Sequence, residues 1–567
     1  MKRFFVIFLC ALLLVGCSVG ESTVPTEQTS AEQQHDSRFA SETLITLSDE
    51  GIKTAALSVF ASRDIVYYED RETYDSGNPY GEGEPHERHS SEEAAAHTVV
   101  NITKPGAYRV TGKLSAGQIR VDLGEDAYDD PSAVVELILD NADITCTVAP
   151  AILFLNVYEC DGDWSEDTAK PDVDTSAAGA NLILKGENRV NGSYVARIFK
   201  DKKGEKKLWK QDGAIYSYMS MNVYGPGALE LTAENEGMDT ELHLTINGGD
   251  IVIRSGNDGI NTNEDGVSVT TINGGNLHVI AGLGAEGDGI DSNGYLVING
   301  GYVVSTAHPA SDAGLDSDLG SFIHGGTVIA LGSAMDWAES DSGQVTMNLQ
   351  FAQYQAPTDA IVVRKEDGTE IFSYDPGADT AVGENARKFM GAVISCSDFR
   401  QGDAYLVYTG GTQMMYTGTD VMMRPGGPGG FGGGKGQRPE GGEMPEGFGG
   451  QMPEGFTGEM PEGFEGFAGQ MPEGFTGEMP EGFEDFGGQM PGGFGGEMPG
   501  NAPPEGFGSQ MPEGFDGQMP EGFGGQAPGG FGGPGGFGGN QQPGEGNALF
   551  YMQDMVNFFS GLMAVIQ

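Results

Sequence analysis

Three short segments, Asp258-Gly259-Ile260-Asn261, Asp288-Gly289-Ile290-Asp291 and Ala313-Gly314-Leu315-Asp316, each end an apolar step with an oxygen-bearing side chain. Looser copies precede them at Asp212-Gly213-Ala214-Ile215 and Glu236-Gly237-Met238-Asp239. From Asp212 to Asp341 the chain carries 19 Asp or Glu against a single Lys or Arg, Arg254. Carboxylates on neighbouring strands of a stack lie about 4.8 Å apart. At an effective dielectric of 20 each such pair repels by about 3–4 kcal/mol, so a ladder of them calls for cations. Calcium takes about six to eight oxygens at roughly 2.3–2.6 Å and tolerates irregular shells, whereas magnesium demands a tight octahedron. The candidate calcium ligands are therefore Asp239, Asp258, Asn261, Asp288, Asp291, Asp312, Asp316 and Asp318. The competing reading is that these Asp and Asn side chains satisfy turns and ladder hydrogen bonds.

Such a ladder needs elements that repeat in step. Ile246-Asn247-Gly248-Gly249, Ile272-Asn273-Gly274-Gly275, Ile298-Asn299-Gly300-Gly301 and Ile323-His324-Gly325-Gly326 recur at spacings of 26, 26 and 25. A period near 25 built from short strands and glycine turns predicts an all-β, right-handed parallel β-helix, each coil burying its inward Ile, Val and Leu on the last. Glycine belongs where the chain turns with positive φ or where the next coil leaves no room for a Cβ. If Ile290 points inward, strand alternation turns Asp291 outward and aligns Asp239, Asn261, Asp291 and Asp316 on one face. The same rule turns Arg254 outward, as a solvated arginine. The domain is expected over residues 41–341, including N-terminal strands, with a β cap at 342–423 covering its open end.

Composition bounds the rest. The net charge of −53 excludes a nucleic-acid binder. Lys2 and Arg3 precede an apolar run, Phe4 to Val15, too short to span a membrane. The run ends in Leu14-Val15-Gly16-Cys17, which resembles the bacterial lipoprotein signal. Residues 1–16 are then a signal peptide, Cys17 carries the lipid on the outer face of a membrane, and 17–40 is a polar tether. Cys146, Cys160 and Cys396 remain; Cys146 and Cys160 are read as a pair or as packed free thiols. Residues 424–546 repeat Met-Pro-Glu-Gly-Phe seven times, an anionic, disordered Gly/Pro-rich tail that is a candidate for cell-wall or surface-protein contact. Residues 547–567 form a short amphipathic segment, read as a helix over 548–566.

The chain resembles a bacterial family of secreted β-helix domains described as carbohydrate-binding, with calcium sites and a pectate-lyase-like fold. The likeness rests on Leu44-Ile45-Thr46-Leu47, Ile102-Thr103-Lys104-Pro105-Gly106-Ala107-Tyr108, Gly117-Gln118-Ile119, Leu137-Ile138-Leu139-Asp140-Asn141-Ala142, Ala214-Ile215-Tyr216-Ser217 and the repeats above. It covers roughly residues 41–423 and implies non-catalytic binding of cellulose-like or acidic polysaccharides. Several family lysines after Asp-Gly-Ile are replaced here by Asn261, Asp291 and Asp316. A polysaccharide lyase or hydrolase on this fold is the rival. A lyase needs a basic residue to take the proton beside a uronate carboxyl, and Arg254 is the sole candidate in the regular coils. A hydrolase needs paired carboxylates, which Asp288 with Asp291, or Asp316 with Asp318, would supply; Gly-His-Gly and Arg-x-Lys are absent from the sequence. Stacking aromatics for a sugar are few: Tyr295, Tyr302 and Trp337 are the candidates.

Overall fold

The computed structural model describes residues 37–68, 87–162, 164–196, 210–418 and 546–565, all within one unit. Cys17, the signal segment, most of the tether and the Met-Pro-Glu-Gly-Phe repeats lie outside the described residues. Strands dominate, the one described α-helix being Ser91–Ala96. They stack in three parallel ladders. The acidic ladder runs Thr98–Ile102, Gly117–Asp122, Ile152–Asn156, Gly213–Ser217, Glu236–Thr240 and Ile260–Thr262. It is prolonged by the bridges of Ile290 with Ile260 and with Leu315. The amide ladder runs Ala180–Lys185, Met221–Tyr224, Leu244–Ile246, Val269–Ile272, Tyr295–Ile298 and Gly320–Ile323. The third runs Glu187–Gly192, Ala228–Ala233, Asp250–Ser255, Asn276–Ile280, Tyr302–Thr306 and Thr327–Gly332.

The register reproduces the repeat. Ile246, Ile272, Ile298 and Ile323 stand opposite one another on successive strands, and each is fully buried. Isoleucine suits a strand that is packed on its inner face, because its branched Cβ fits the pleat. The second glycine of each pair turns the corner into the third ladder: Gly249, Gly275, Gly301 and Gly326 have φ of +109°, +93°, +91° and +88°. A Cβ on Gly301 would lie 2.8 Å from the carbonyl oxygen of Gly275 beneath it. Both demands select glycine.

Beyond Thr327–Gly332 the direction of pairing changes. Phe389–Ser395 runs antiparallel to that strand and to Thr346–Gln355, covering the end of the third ladder. A second apolar core lies here, around Phe351, Phe389, Phe399 and Tyr405. The end of the chain belongs to it, and the helix expected over 548–566 is replaced by strands Phe550–Tyr551 and Val556–Ala564. Val556–Ala564 pairs parallel to Thr346–Gln355 and antiparallel to Thr412–Met415. Phe558 meets Trp337 at 5.0 Å on one side, while Phe559 meets Tyr416 at 5.0 Å on the other. A strand covered on both faces loses its alternation, and its apolar spacing then mimics a helix.

Side chains tie this C-terminal part to the ladders. The Arg254 guanidinium donates to the Ala381 carbonyl at 2.7 Å instead of facing solvent. Arg387 donates to the carbonyls of Gly282 and Ala281, and His278 lies 3.3 Å from the Asp379 carboxylate. Cys146, Cys160 and Cys396 are free thiols. Burial pushes the thiols of Cys146 and Cys160 up to about 12, so they are packed and unreactive at neutral pH.

Candidate functional site

Two surfaces hold the residues that could do chemistry, on different ladders. On the acidic ladder Asp239 pairs directly with Asn261, and the bridges of Ile290 set Asp291 and Asp316 in the same row. The row is shielded more than strand alternation alone suggests, with Asp239 at 0% and Asn261 at 7% exposure. Burial, followed by the nearest acids, raises the carboxyls of Asp239 and Asp291 well above the usual range. Asp316 is pushed to about 6 by burial and Asp318. Oδ2 of Asp239 and Oδ1 of Asn261 have no hydrogen-bond partner among the described residues. Buried oxygens without donors are costly, and an oxygen-seeking cation would satisfy them.

In the densest part of this site sequence reasoning named Asp239 and missed its two neighbours. Asp212, Glu236 and Asp239 offer three carboxylate oxygens within 4.8 Å of one another. Burial and Asp212 push Glu236 to about 7. The signal was present in the looser repeat copies Asp212-Gly213 and Glu236-Gly237, although Glu236 pairs with Gly213 and so stands one residue out of step with Asp212. Lys210, just upstream, forms an ion pair with Asp212. Its burial lowers the ammonium pKa, but Asp212 and Glu236 outweigh that and hold it well above the ordinary value. Such a lysine stays protonated and is a poor base.

Other expected ligands act as staples between turns. Asp258 Oδ1 accepts from the Asp288 N–H at 2.6 Å, and Asp288 Oδ1 accepts from the Ala313 N–H at 2.5 Å. Asp312 accepts from the Gly287 N–H at 3.1 Å and lies 3.5 Å from His308. Asp318 follows in the next outward row, where its N–H donates to Ser292.

The outer face of the amide ladder forms a groove of about 590 Å³, within the roughly 300–1,000 Å³ of small-ligand sites. Asn247, Asn273 and Asn299 line it in one row. Asn273 Nδ2 donates to Asn247 Oδ1, and Asn299 Nδ2 to Asn273 Oδ1, both at 2.9 Å. The chained amides leave further donors and acceptors facing the groove. The adjacent row is Thr245, Thr271, Val297 and Phe322. A loop at residues 171–176, with Asp172 and Asp174, walls one side. None of the three Asn was singled out from sequence, because Ile-Asn-Gly-Gly reads as a turn signature.

The aromatic candidates separate. Tyr295 is half-buried beside Phe322, 6.2 Å between ring centroids, and Phe322 neighbours His324 at the end of the groove. Tyr302 sits against His278 at 5.7 Å, on the third ladder, its hydroxyl pushed to about 12 by burial and Asp379. Trp337 packs on Phe558.

Residues 96–350 match a family model described as a carbohydrate-binding domain-containing protein. A relative from Acetivibrio thermocellus, also described as a carbohydrate-binding domain-containing protein, is 29% identical over 157 residues. That alignment covers 28% of this chain and 45% of the relative, so the chain spans under half the length of the relative it matches. No solved structure matches the chain. The matched stretch contains both the groove and the acidic ladder.

Proposed function

We propose that this chain is a non-catalytic, calcium-assisted polysaccharide-binding protein held at the outer face of a bacterial membrane by a lipid on Cys17. The observation that carries the binding reading is the row Asn247–Asn273–Asn299, three linked amides on successive strands of the groove. Stacked strands repeat about every 4.8 Å, close to the rise of one pyranose in an extended glycan. A polymer laid across the strands would meet the same donor–acceptor pair at each sugar. Tyr295 and Phe322 offer apolar faces at the open end, where a sugar ring stacks on its C–H face. The similarity over residues 96–350 supports the same reading.

The three ladders are read as the faces of a right-handed parallel β-helix, the hand that parallel crossovers almost always take. Calcium belongs on the acidic ladder, with Asp212, Glu236, Asp239 and Asn261 as its best-placed oxygens. There it stabilises the scaffold that carries the groove on a neighbouring ladder. The rival lyase reading has little support, since Lys210 is held as an ammonium and the Arg254 guanidinium is engaged by the Ala381 carbonyl.

Retention of the protein on immobilised polygalacturonate and β-1,4-glucan, with calcium or with EDTA, tests the proposal. Retention on at least one glycan, with no unsaturated product and no new reducing ends, is expected. Steady product formation would hand the case to a lyase or hydrolase, and absence of retention on both would end the binding reading.

A further inference from the structure

We infer that the groove receives the terminus of a glycan chain and excludes its middle; this rests on the polysaccharide reading above. The groove is graded in depth. Along its amide row Tyr224 is half-buried, Asn247 is 4% exposed, Asn273 is half-buried, and Asn299 and His324 are exposed. In the adjacent row Asn222 is 0%, Thr245 6% and Val297 5% exposed, whereas Thr271 and Phe322 are half-open. One end is deep and the other meets solvent.

A built plug closes the deep end over the row of Asn222 and Thr245. Thr175, itself 4% exposed, donates from Oγ1 to Asn222 Oδ1 at 2.7 Å and shares a 2.7 Å hydrogen bond with Thr245 Oγ1. Asn222 Nδ2 in turn donates to the Thr175 carbonyl at 2.8 Å and to Asn181 Oδ1 at 3.2 Å. Asp174 holds the loop in shape by accepting the Ser176 N–H at 2.9 Å. The cover continues past the plug, since Asn181 pairs in register with Glu136, which accepts the Arg38 N–H at 2.8 Å and is fully buried.

Every side chain of that row upstream of Thr271 is thus occupied by protein. A polymer laid across the strands can cover Thr271, Val297 and Phe322 and must stop at Thr175. It leaves over Asn299 and His324. Its last sugar presents the hydroxyl that an internal residue uses in a glycosidic bond, and Thr175 with Asn247 stands where that hydroxyl ends. A binder of chain interiors needs a cleft open at both ends, and this groove has one.

Titrating the full-length protein with a water-soluble β-glucan and with polygalacturonate, each in a long and a partly hydrolysed short preparation of equal mass, decides the matter. Calorimetric capacity should rise in proportion to the number of chain ends, so chains cut ten-fold shorter take up about ten-fold more protein per gram. Replacing residues 172–176 by a short glycine link should open the deep end and make capacity follow mass. Capacity that follows mass in the unaltered protein overturns the inference while leaving polysaccharide binding intact. No heat with any preparation overturns the binding reading itself.

Discussion

Proton and calcium should compete for the acidic ladder, and the structure sets the sign and size of the effect. Glu236 is pushed from 4.5 to about 7 and Asp316 from 3.8 to about 6, in both cases first by burial. A carboxyl whose folded pKa exceeds its unfolded value binds a proton more tightly when folded. Its contribution is complete below about pH 4 and is lost as pH rises through about 6 to 7. A tenfold change in proton affinity is about 1.4 kcal/mol, so each group alone corresponds to a few kcal/mol. They share neighbours and do not add fully, which puts the pair at roughly 3–6 kcal/mol, a large share of the about 5–15 kcal/mol that holds a domain folded. In EDTA the protein should therefore melt on the order of 5 °C higher near pH 5 than near pH 8. Calcium narrows that gap, because an ion at about 100 times its Kd adds about 2.7 kcal/mol and binds best where the carboxyls are ionised. Asp291→Asn removes one repelling charge, so it should raise the melting temperature in EDTA near pH 8 and shrink the calcium response. Differential scanning calorimetry at the two pH values, with and without calcium, reads all of this. A calcium shift of equal size at both, or an EDTA-treated protein more stable near pH 8, would refute the cation site.

Asn273→Ala and Asn299→Ala should each weaken glycan retention by about three- to ten-fold, the weight of one or two hydrogen bonds, with no change in melting temperature beyond a degree or two; unchanged affinity for both would move the site elsewhere. Phe559→Ala should cost about 3–5 kcal/mol, because Phe559 is 5% exposed and packs on Phe550 at 4.8 Å; a thermal scan that barely moves would show the C-terminal strand to be dispensable. Trp337→Ala is expected to lower stability through lost packing on Phe558 and to leave glycan retention intact. Cys17→Ala should release the protein from membranes or leave it unprocessed, read by fractionation; unchanged partitioning would count against the lipid anchor.

What was legible in the sequence was whatever repeats. Spacings of 26, 26 and 25 carried the register of Ile246, Ile272, Ile298 and Ile323, and the glycine pairs marked the corners, because a stack translates one local pattern by one strand each time. The row Asp239, Asn261, Asp291, Asp316 followed from the same periodicity. Other features depend on what folds over the repeat, and local pattern carries no trace of that. Residues 171–176 plug a groove whose floor comes from Asn222 and Thr245, a contact set by chain path and by two hydroxyls. Tyr302 and Trp337 read as candidates for stacking on a sugar until His278 with Asp379 and the strand Val556–Ala564 pack against them. That strand is the clearest case, since its two buried faces erase the alternation that would have marked it. The sequence by itself determined the repeat, its corners and its ladder of acids through local sterics and period; only the tertiary structure decided which of those acids are buried, which amides line a groove, and where the end of the chain comes to rest, because burial belongs to pairs of segments far apart in the chain.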